Sequence, residues 1–332
     1  MAYRALAGQD RRKPLHQTVK HRINILAHTS RMTDERPPTI DPVAAASWER
    51  GAPARSPWLH EEVARRMEER LQWIRLRPQA WADWEPVRGG LAAHALLERR
   101  YPDAECFVIE PAPQRARLAQ DQLARPWWRR WAAPALRHGP VPAGAVQMVW
   151  ANMVLHMAAQ PHTLMTQWHS ALAVDGFLMF SCLGPDTLLE LRTAYRALGW
   201  PPPAHDFTDM HDWGDMLVHA GFAEPVMDME RITLTWETPQ RMLDELRELG
   251  ANLNPRRFPA LRGARWKQRL LHELGRSLRQ PDGRLALTFE VIYGHAVKPK
   301  PRLPMSEQSQ MSLDDMRAML HGGKSGRDRP VL

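Results

Sequence analysis

Cysteine is almost missing from this 332-residue chain, in which only Cys106 and Cys182 occur. Two thiols cannot build a disulfide scaffold or a four-thiolate zinc or iron–sulfur centre, and their scarcity predicts a reducing compartment such as the cytoplasm. Long apolar runs are missing as well. No stretch approaches the ~20 uninterrupted apolar residues of a membrane-spanning helix, so no membrane association is expected. The amino-terminal stretch has no apolar core followed by small residues and does not read as a secretory signal. No internal repeat is visible. Against these absences, 44% hydrophobic and 25% charged residues are ordinary globular values, which excludes wholesale disorder.

Charge is present in plenty but unevenly placed. The formal net charge is +8, from 45 Lys and Arg against 37 Asp and Glu. Residues 1–38 hold 8 bases and 3 acids, and residues 295–332 hold 7 and 4. The remaining body, 39–294, has 30 of each and is neutral. A basic surface large enough for a nucleic acid is therefore not expected on the folded part. The expected organisation is a basic flexible arm over 1–38, one domain over 39–297 with an amino-terminal helical lid, and a basic, proline-containing tail over 298–332. Met32, which opens the polar run Thr33–Pro38, is a candidate initiator, and residues 1–31 would then not be translated.

From Asp41 to Leu76 apolar residues recur at helical spacing, notably Leu59, Val63, Met67 and Leu71. Strands and helices then alternate. Strands are predicted at Ala80–Val87, Cys106–Glu110, Val146–Ala151, Phe177–Cys182, Val226–Trp236 and Leu285–Ala296. Helices are predicted at Leu91–Arg100, His162–Leu172, from Gly184-Pro185-Asp186 through Leu198, Asp209–Ala220 and Pro239–Leu249. Gly221 suits a left-handed helix terminator. Trp127–Trp131 is ambiguous, and one short helix is expected at Ser312–Leu320 in the tail. This alternation implies an α/β fold with a mainly parallel sheet covered on both faces, whose ligand site lies at the carboxyl ends of the strands.

Candidate chemistry gathers at those ends. Glu85, Gly89 and Gly90 lie between the first strand and its helix, where backbone N–H groups can approach a nucleotide-like ligand. Glu110 closes the next strand and can accept two hydrogen bonds from a ribose diol. Asn152 follows the fourth strand, where a carboxamide can bind a ligand or close a turn, and His156 lies four residues on. His205, Asp206, Asp209, His211, Asp212 and Asp215 reproduce no known ligand spacing, so no metal is expected, and Asp209 reads as a helix cap. Ser181 and Cys182 have no evident activating partner. The arginine-dense stretch Asn252–Arg269 offers Arg256, Arg257 and Arg265 to an acidic substrate or an acidic carrier protein.

Phe180-Ser181-Cys182-Leu183-Gly184-Pro185-Asp186-Thr187-Leu188-Leu189-Glu190-Leu191-Arg192 resembles the signature of the malonyl-acyl-carrier-protein O-methyltransferase (BioC) family of biotin synthesis. Asp209-Met210-His211-Asp212-Trp213-Gly214-Asp215, running into Ala220-Gly221-Phe222 and Pro225–Asp228, looks like the same family. Pro38–Asp41 and Trp48–Arg50 resemble its amino-terminal region. The resemblance implies a Rossmann-like class I methyltransferase fold, a seven-stranded, mainly parallel sheet with helices on both faces and an antiparallel last strand. It implies S-adenosyl-L-methionine as cofactor and, as partner, an acyl carrier protein carrying a malonyl thioester whose free carboxyl is methylated. Glu85, Gly89, Gly90, Glu110 and Asn152 then fall on cofactor-binding positions, and no general base is required.

The sequence departs from the family pattern in the cofactor loop. Glu85 stands where Asp is usual, and Val87 and Leu91 stand at the first and third glycine positions. Gln147 replaces a frequent Asp. Two other readings therefore stay open. One is a catalytically silent member serving as a binding or assembly module. The other is a different reaction on the same scaffold, since the Gly184–Leu188 stretch also resembles a mitochondrial complex I assembly factor associated with arginine hydroxylation.

Overall fold

The computed structural model describes residues 40–125 and 134–301. The expectations for the 1–38 arm, for Trp127–Trp131 and for a Ser312–Leu320 helix lie outside the described residues. Among the described residues, no helix is long and apolar enough to cross a membrane.

The chain opens with helices α1 (Pro42–Gly51) and α2 (Trp58–Arg70). Then come β1 (Ala80–Trp84), a one-turn helix α3 (Pro86–Gly89), α4 (Leu91–Arg100), β2 (Glu105–Ile109) and α5 (Pro113–Gln122). Next are β3 (Leu136–His138), β4 (Val146–Ala151), α6 (Pro161–Ala171), β5 (Leu172–Leu183) and α7 (Leu189–Ala197). The last elements are α8 (Met210–His219), β6 (Ala223–Trp236), α9 (Pro239–Leu249), α10 (Ala264–Ser277) and β7 (Leu285–Val297). Together the strands form one seven-stranded sheet in the order β3-β2-β1-β4-β5-β7-β6. The pairings from β3 to β5 are parallel, and β7 runs antiparallel to both of its neighbours. This is the doubly covered sheet that the alternation of elements predicted.

Strand side chains alternate between two cores, as period-two geometry dictates. Along β5, Phe177, Met179 and Leu183 enter one core while Leu178, Phe180 and Cys182 enter the other. The first core is covered by α2 through Leu59, Val63 and Met67, by α7 through Leu191 and Tyr195, and by α10 through Leu270 and Leu274. The second is covered by α6 through Met165 and Trp168 and by α8 through Trp213 and Leu217. β7 crosses β5 closely at Gly294, where any Cβ would collide with the Phe180 ring.

Several boundaries differ from the sequence reading for identifiable reasons. The amphipathic run over 41–76 is two helices, because Pro53 and Pro57 interrupt it. β1 stops at Trp84 rather than Val87, since Glu85 takes a left-handed φ of 55° and Pro86 starts a helical turn. The helix expected from Gly184 begins only at Leu189. The Gly184–Leu188 stretch is instead clipped to β7: the Asp186 N–H donates to Glu290 Oε2 at 2.6 Å, and the Leu188 N–H donates to the Thr288 carbonyl at 2.8 Å. Asp209 does cap α8, accepting from the His211 N–H at 2.8 Å, and Gly221 has a φ of 96°. Helices α5 and α10 were not anticipated. Gln147, on β4, accepts from the Gln79 and Ala80 N–H groups at 3.0 and 2.9 Å and so stitches the start of β1 to β4.

Beneath α4 lies a buried acid–base pair. The His94 ring Nδ1 is 2.7 Å from Asp83 Oδ2, and Nε2 lies 3.7 Å from Glu98 Oε1. Burial would lower the His94 pKa, but the hydrogen bonds and charges of Asp83 and Glu98 outweigh it and raise the value to about 9. A histidine raised above its unfolded value of 6.5 contributes stability that is complete below pH 6.5 and vanishes as pH passes 9. Urea titrations of the folded chain between pH 6 and 9.5 should therefore show falling stability. A His94→Gln variant should lose about 2–3 kcal/mol of that decline. A variant whose pH slope equals that of the parent chain would refute the pair's charged state.

Candidate active site

The carboxyl ends of β1, β2 and β4 meet in a crevice lined by acids. Glu85 follows β1, with its N–H donating to the Ile109 carbonyl at 2.8 Å, so the two strand ends are held side by side. Glu110 follows β2 and turns back under α3, its Oε1 accepting the Val87 N–H at 2.9 Å. That amide belongs to the first turn of a helix whose N-terminal donors have no intrahelical acceptor, which is why a carboxylate settles there. A third acid, Glu49, reaches the same place from the end of α1.

Two guanidinium groups lie among these three carboxyls. Arg115, near the start of α5 and only 3% exposed, places Nε 3.2 Å from Glu110 Oε2 and Nη2 3.4 Å from Glu85 Oε2. Its Nη2 also pairs with Glu49, and its Nη1 donates to the Glu49 backbone carbonyl at 2.8 Å. Arg88, on α3, lies 3.5 Å from Glu85 and 3.7 Å from Glu49, and its guanidinium stacks 5.8 Å from the Trp48 ring. Burial pushes the Glu110 carboxyl up to about 8, against the pull of the Val87 N–H, and the Glu85 and Asp83 charges add to the rise. Burial raises Glu85 as well. Two donors at the mouth, Trp48 Nε1 and Arg88 Nη2, are buried without an acceptor. Three carboxyls against two guanidiniums leave the crevice one negative charge when all are ionised. The arrangement suits a ligand that offers hydroxyls to Glu110 and an acceptor to the two orphaned donors.

The glycines are positioned by packing. Gly90 has a φ of 133°, and a Cβ there would sit 2.8 Å from Glu61 Oε2. A Cβ on Gly89 would come within 3.0 Å of the Asn152 backbone carbonyl. Asn152 is 1% exposed and its carboxamide is taken up by protein groups. Nδ2 donates to the carbonyls of His60, at 2.8 Å, and Gly89, and Oδ1 accepts the Ser181 hydroxyl at 2.6 Å. Expected to meet a ligand, Asn152 therefore stands as a brace that locks the glycine turn to β4 and β5. Ser181 is committed to that brace, and burial pushes the Cys182 thiol far up, so neither is a nucleophile. His60, whose Nδ1 lies 2.8 Å from the Arg88 carbonyl, is lowered to about 4 by burial, and burial also drives His156 well down. Both are neutral at physiological pH.

The arginines of the 252–269 stretch lie elsewhere. Arg257 pairs with Asp41 at 2.5 Å and lines a cleft of about 460 Å³ between α1 and residues 251–257. Arg256 is exposed, 4.0 Å from Asp206, and Arg265 is exposed on α10. The sequence reading missed Glu49, Arg88 and Arg115. The only available signal for Arg115 was its place in the turn after the Glu110 acid. Among the described residues, no group of three His, Cys, Asp or Glu could hold a metal.

No family model matches the chain. It is 40% identical over 268 residues to a malonyl-acyl-carrier-protein O-methyltransferase of Laribacter hongkongensis, covering 78% of this chain and 87% of that protein. It is 37% identical to the protein of the same name from Gallionella capsiferriformans, with 74% and 86% covered, and 37% identical to that of Halorhodospira halophila, with 72% and 80% covered. Among solved structures, the YcgJ protein of Bacillus subtilis is 12% identical with a TM-score of 0.47, covering 72% of this chain and 99% of that one.

Removal of the central cation tests the charge arrangement. An Arg115→Met variant leaves Glu49, Glu85 and Glu110 facing one another and should lose about 3–5 kcal/mol at pH 8, as expected when one member of a buried ion network is deleted. The loss should shrink at pH 5, where protonation relieves the repulsion. Urea denaturation at the two pH values reads this out, and equal losses would contradict a charge origin.

Proposed function

We infer, for a chain that belongs to the malonyl-acyl-carrier-protein O-methyltransferase family, that it methylates the free carboxyl of a malonyl thioester on acyl carrier protein in biotin synthesis. The single observation that carries this reading is 40% identity to a protein of that name over 78% of the chain. It favours catalysis over a silent binding module. A biosynthetic role and two free, buried cysteines suit a cytoplasmic setting.

The crevice fits S-adenosyl-L-methionine by the chemistry of its donors. That cofactor, when bound, supplies an activated methyl group on a sulfonium and carries one net positive charge, which would favour the ionised forms of Glu110 and Glu85 that burial disfavours. Glu110 is the group to accept the ribose hydroxyls, exchanging its Arg115 contact for them. Arg88 Nη2 and Trp48 Nε1 are the donors for the methionine carboxylate. Gly89 and Gly90 keep the α3–α4 turn narrow, and Asn152 holds that turn in place. Val87 and Leu91 add side chains where smaller residues would leave more room, so entry requires Arg115 and Glu49 to yield.

A carboxylate is already a nucleophile, and no base is needed to prepare it. The work left to this chain is alignment and exclusion of water. Neutral His60 and His156 suit that task, because they add no charge that would draw solvent into the crevice.

The purified chain, incubated with malonyl-acyl carrier protein and methyl-labelled S-adenosylmethionine, should yield the labelled malonyl methyl ester. Unmodified substrate would overturn the assignment. Calorimetry with the cofactor should show a Glu110→Ala variant binding weaker by about 1–3 kcal/mol, the loss expected when buried hydrogen-bonding groups are left without a partner. Equal affinity in both proteins would remove Glu110 from the ribose site.

A further inference from the structure

The neutral body conceals a separation of charge. Residues 255–279 contain eight Lys and Arg against one acid, Glu273, which leaves 22 bases and 29 acids for the rest of 39–294. The basic side chains are presented in an unusual way. Among the described residues, no carboxylate pairs with Arg262, Arg265, Lys267 or Arg269. Aromatic rings support two of them instead. The Arg262 guanidinium lies 4.2 Å from the Phe258 ring and 4.0 Å from the Trp266 ring, and Arg269 lies 5.5 Å from Trp200. A guanidinium stacked on a ring is held in place without being neutralised, so its charge faces outward with little rotamer freedom left to lose. Leu261 and Phe258 add exposed apolar surface, and Leu261 is fully exposed. Fixed positive charge beside exposed leucine and phenylalanine describes an interface with an acidic protein better than an idle solvated face.

The position of this face strengthens the case. Helix α10 buries Leu270 and Leu274 and turns Arg265, Lys267 and Arg269 outward. The loop before it carries Arg257 into the cleft that Val43, Ala44, Ser47 and Trp48 of α1 form with residues 251–253. One residue beyond Trp48, Glu49 enters the acidic crevice. The cleft thus lies between the loop that leads into α10 and the α1 residues next to Glu49. A nucleic acid is disfavoured, because the patch is confined to one helix and one loop and the remainder of the body is acidic.

Resting on the malonyl-thioester reading, we propose that the face formed by Phe258, Leu261, Arg262, Lys267 and Arg269 docks the acidic carrier protein. The cleft between α1 and residues 251–257 receives the carrier's thioester arm.

The test uses the full chain and an Arg262→Glu/Lys267→Glu variant, Lys267 being exposed and Arg262 half-buried, with circular dichroism to verify folding. Methyl transfer is measured on malonyl-acyl carrier protein and on malonyl-pantetheine, which lacks the protein. The variant should raise KM for the carrier substrate at least tenfold with kcat little changed, and leave malonyl-pantetheine kinetics as they were. In the unmodified chain, 0.5 M salt should raise KM for the carrier substrate alone. An unchanged KM for the carrier substrate, or an equal rise for both substrates, would overturn the docking face. Fluorescence anisotropy of labelled carrier protein separates this from the substrate reading. Binding that the variant abolishes upholds the docking face even if no methyl ester forms. Equal binding by both proteins, or none by the unmodified chain, overturns it.

Discussion

Two buried carboxyl groups at the ends of β1 and β2, with a half-buried third from α1, must be balanced by cations, and much of the molecule is arranged around that requirement. Glu85, Glu110 and Glu49 come from a strand end, a second strand end and a helix that precedes the sheet. Arg115 touches all three. The amino-terminal helix is therefore tied to the sheet by charge as well as by the small apolar contact of Ile40, Met157 and Leu253. Buried ion networks are costly to assemble and costlier to break in part. Such a network fixes the ends of β1, β2 and α1 relative to one another.

The fold was legible because its signals are local and repeated. The predicted strand at Val146–Ala151 and helix at Pro239–Leu249 coincide with β4 and α9, where apolar runs and proline or glycine punctuation agree. Legibility failed where one residue's backbone overrode the pattern, as at Glu85 and Leu188, both non-glycine residues with positive φ. Nothing in a hydrophobic period reports such a conformation; it is imposed by partners far along the chain. The candidate acids were legible because a strand end followed by an acid is a positional cue. Glu49 and Arg115 were not, since what defines them is a meeting across 66 residues of sequence. Asn152 was found for the right place, but its carboxamide faces protein groups, a distinction that only the hydrogen-bond geometry draws.

Charge tells the same story on a larger scale. Summed over 39–294 it vanishes, and the sum hides a basic helix and loop beside an acidic remainder. Composition measures the total, whereas recognition depends on the gradient. Aromatic supports at Phe258, Trp266 and Trp200 make that gradient stiff.

The stretch Gly184–Leu188, the part of the sequence most readily recognised, has a purely architectural setting. Glu290 receives the Asp186 N–H, Thr187 exchanges hydrogen bonds with the Glu290 backbone, and a Cβ on Gly184 would strike the Glu290 side chain. It is a clasp that fastens the end of β5 to β7, and none of its side chains belongs to the acidic crevice. The recognisable stretch and the cluster of carboxyls are thus written in separate places on this chain. A search keyed to the clasp would gather proteins that close their sheet in the same manner, including any that had exchanged every carboxyl of the crevice for something inert.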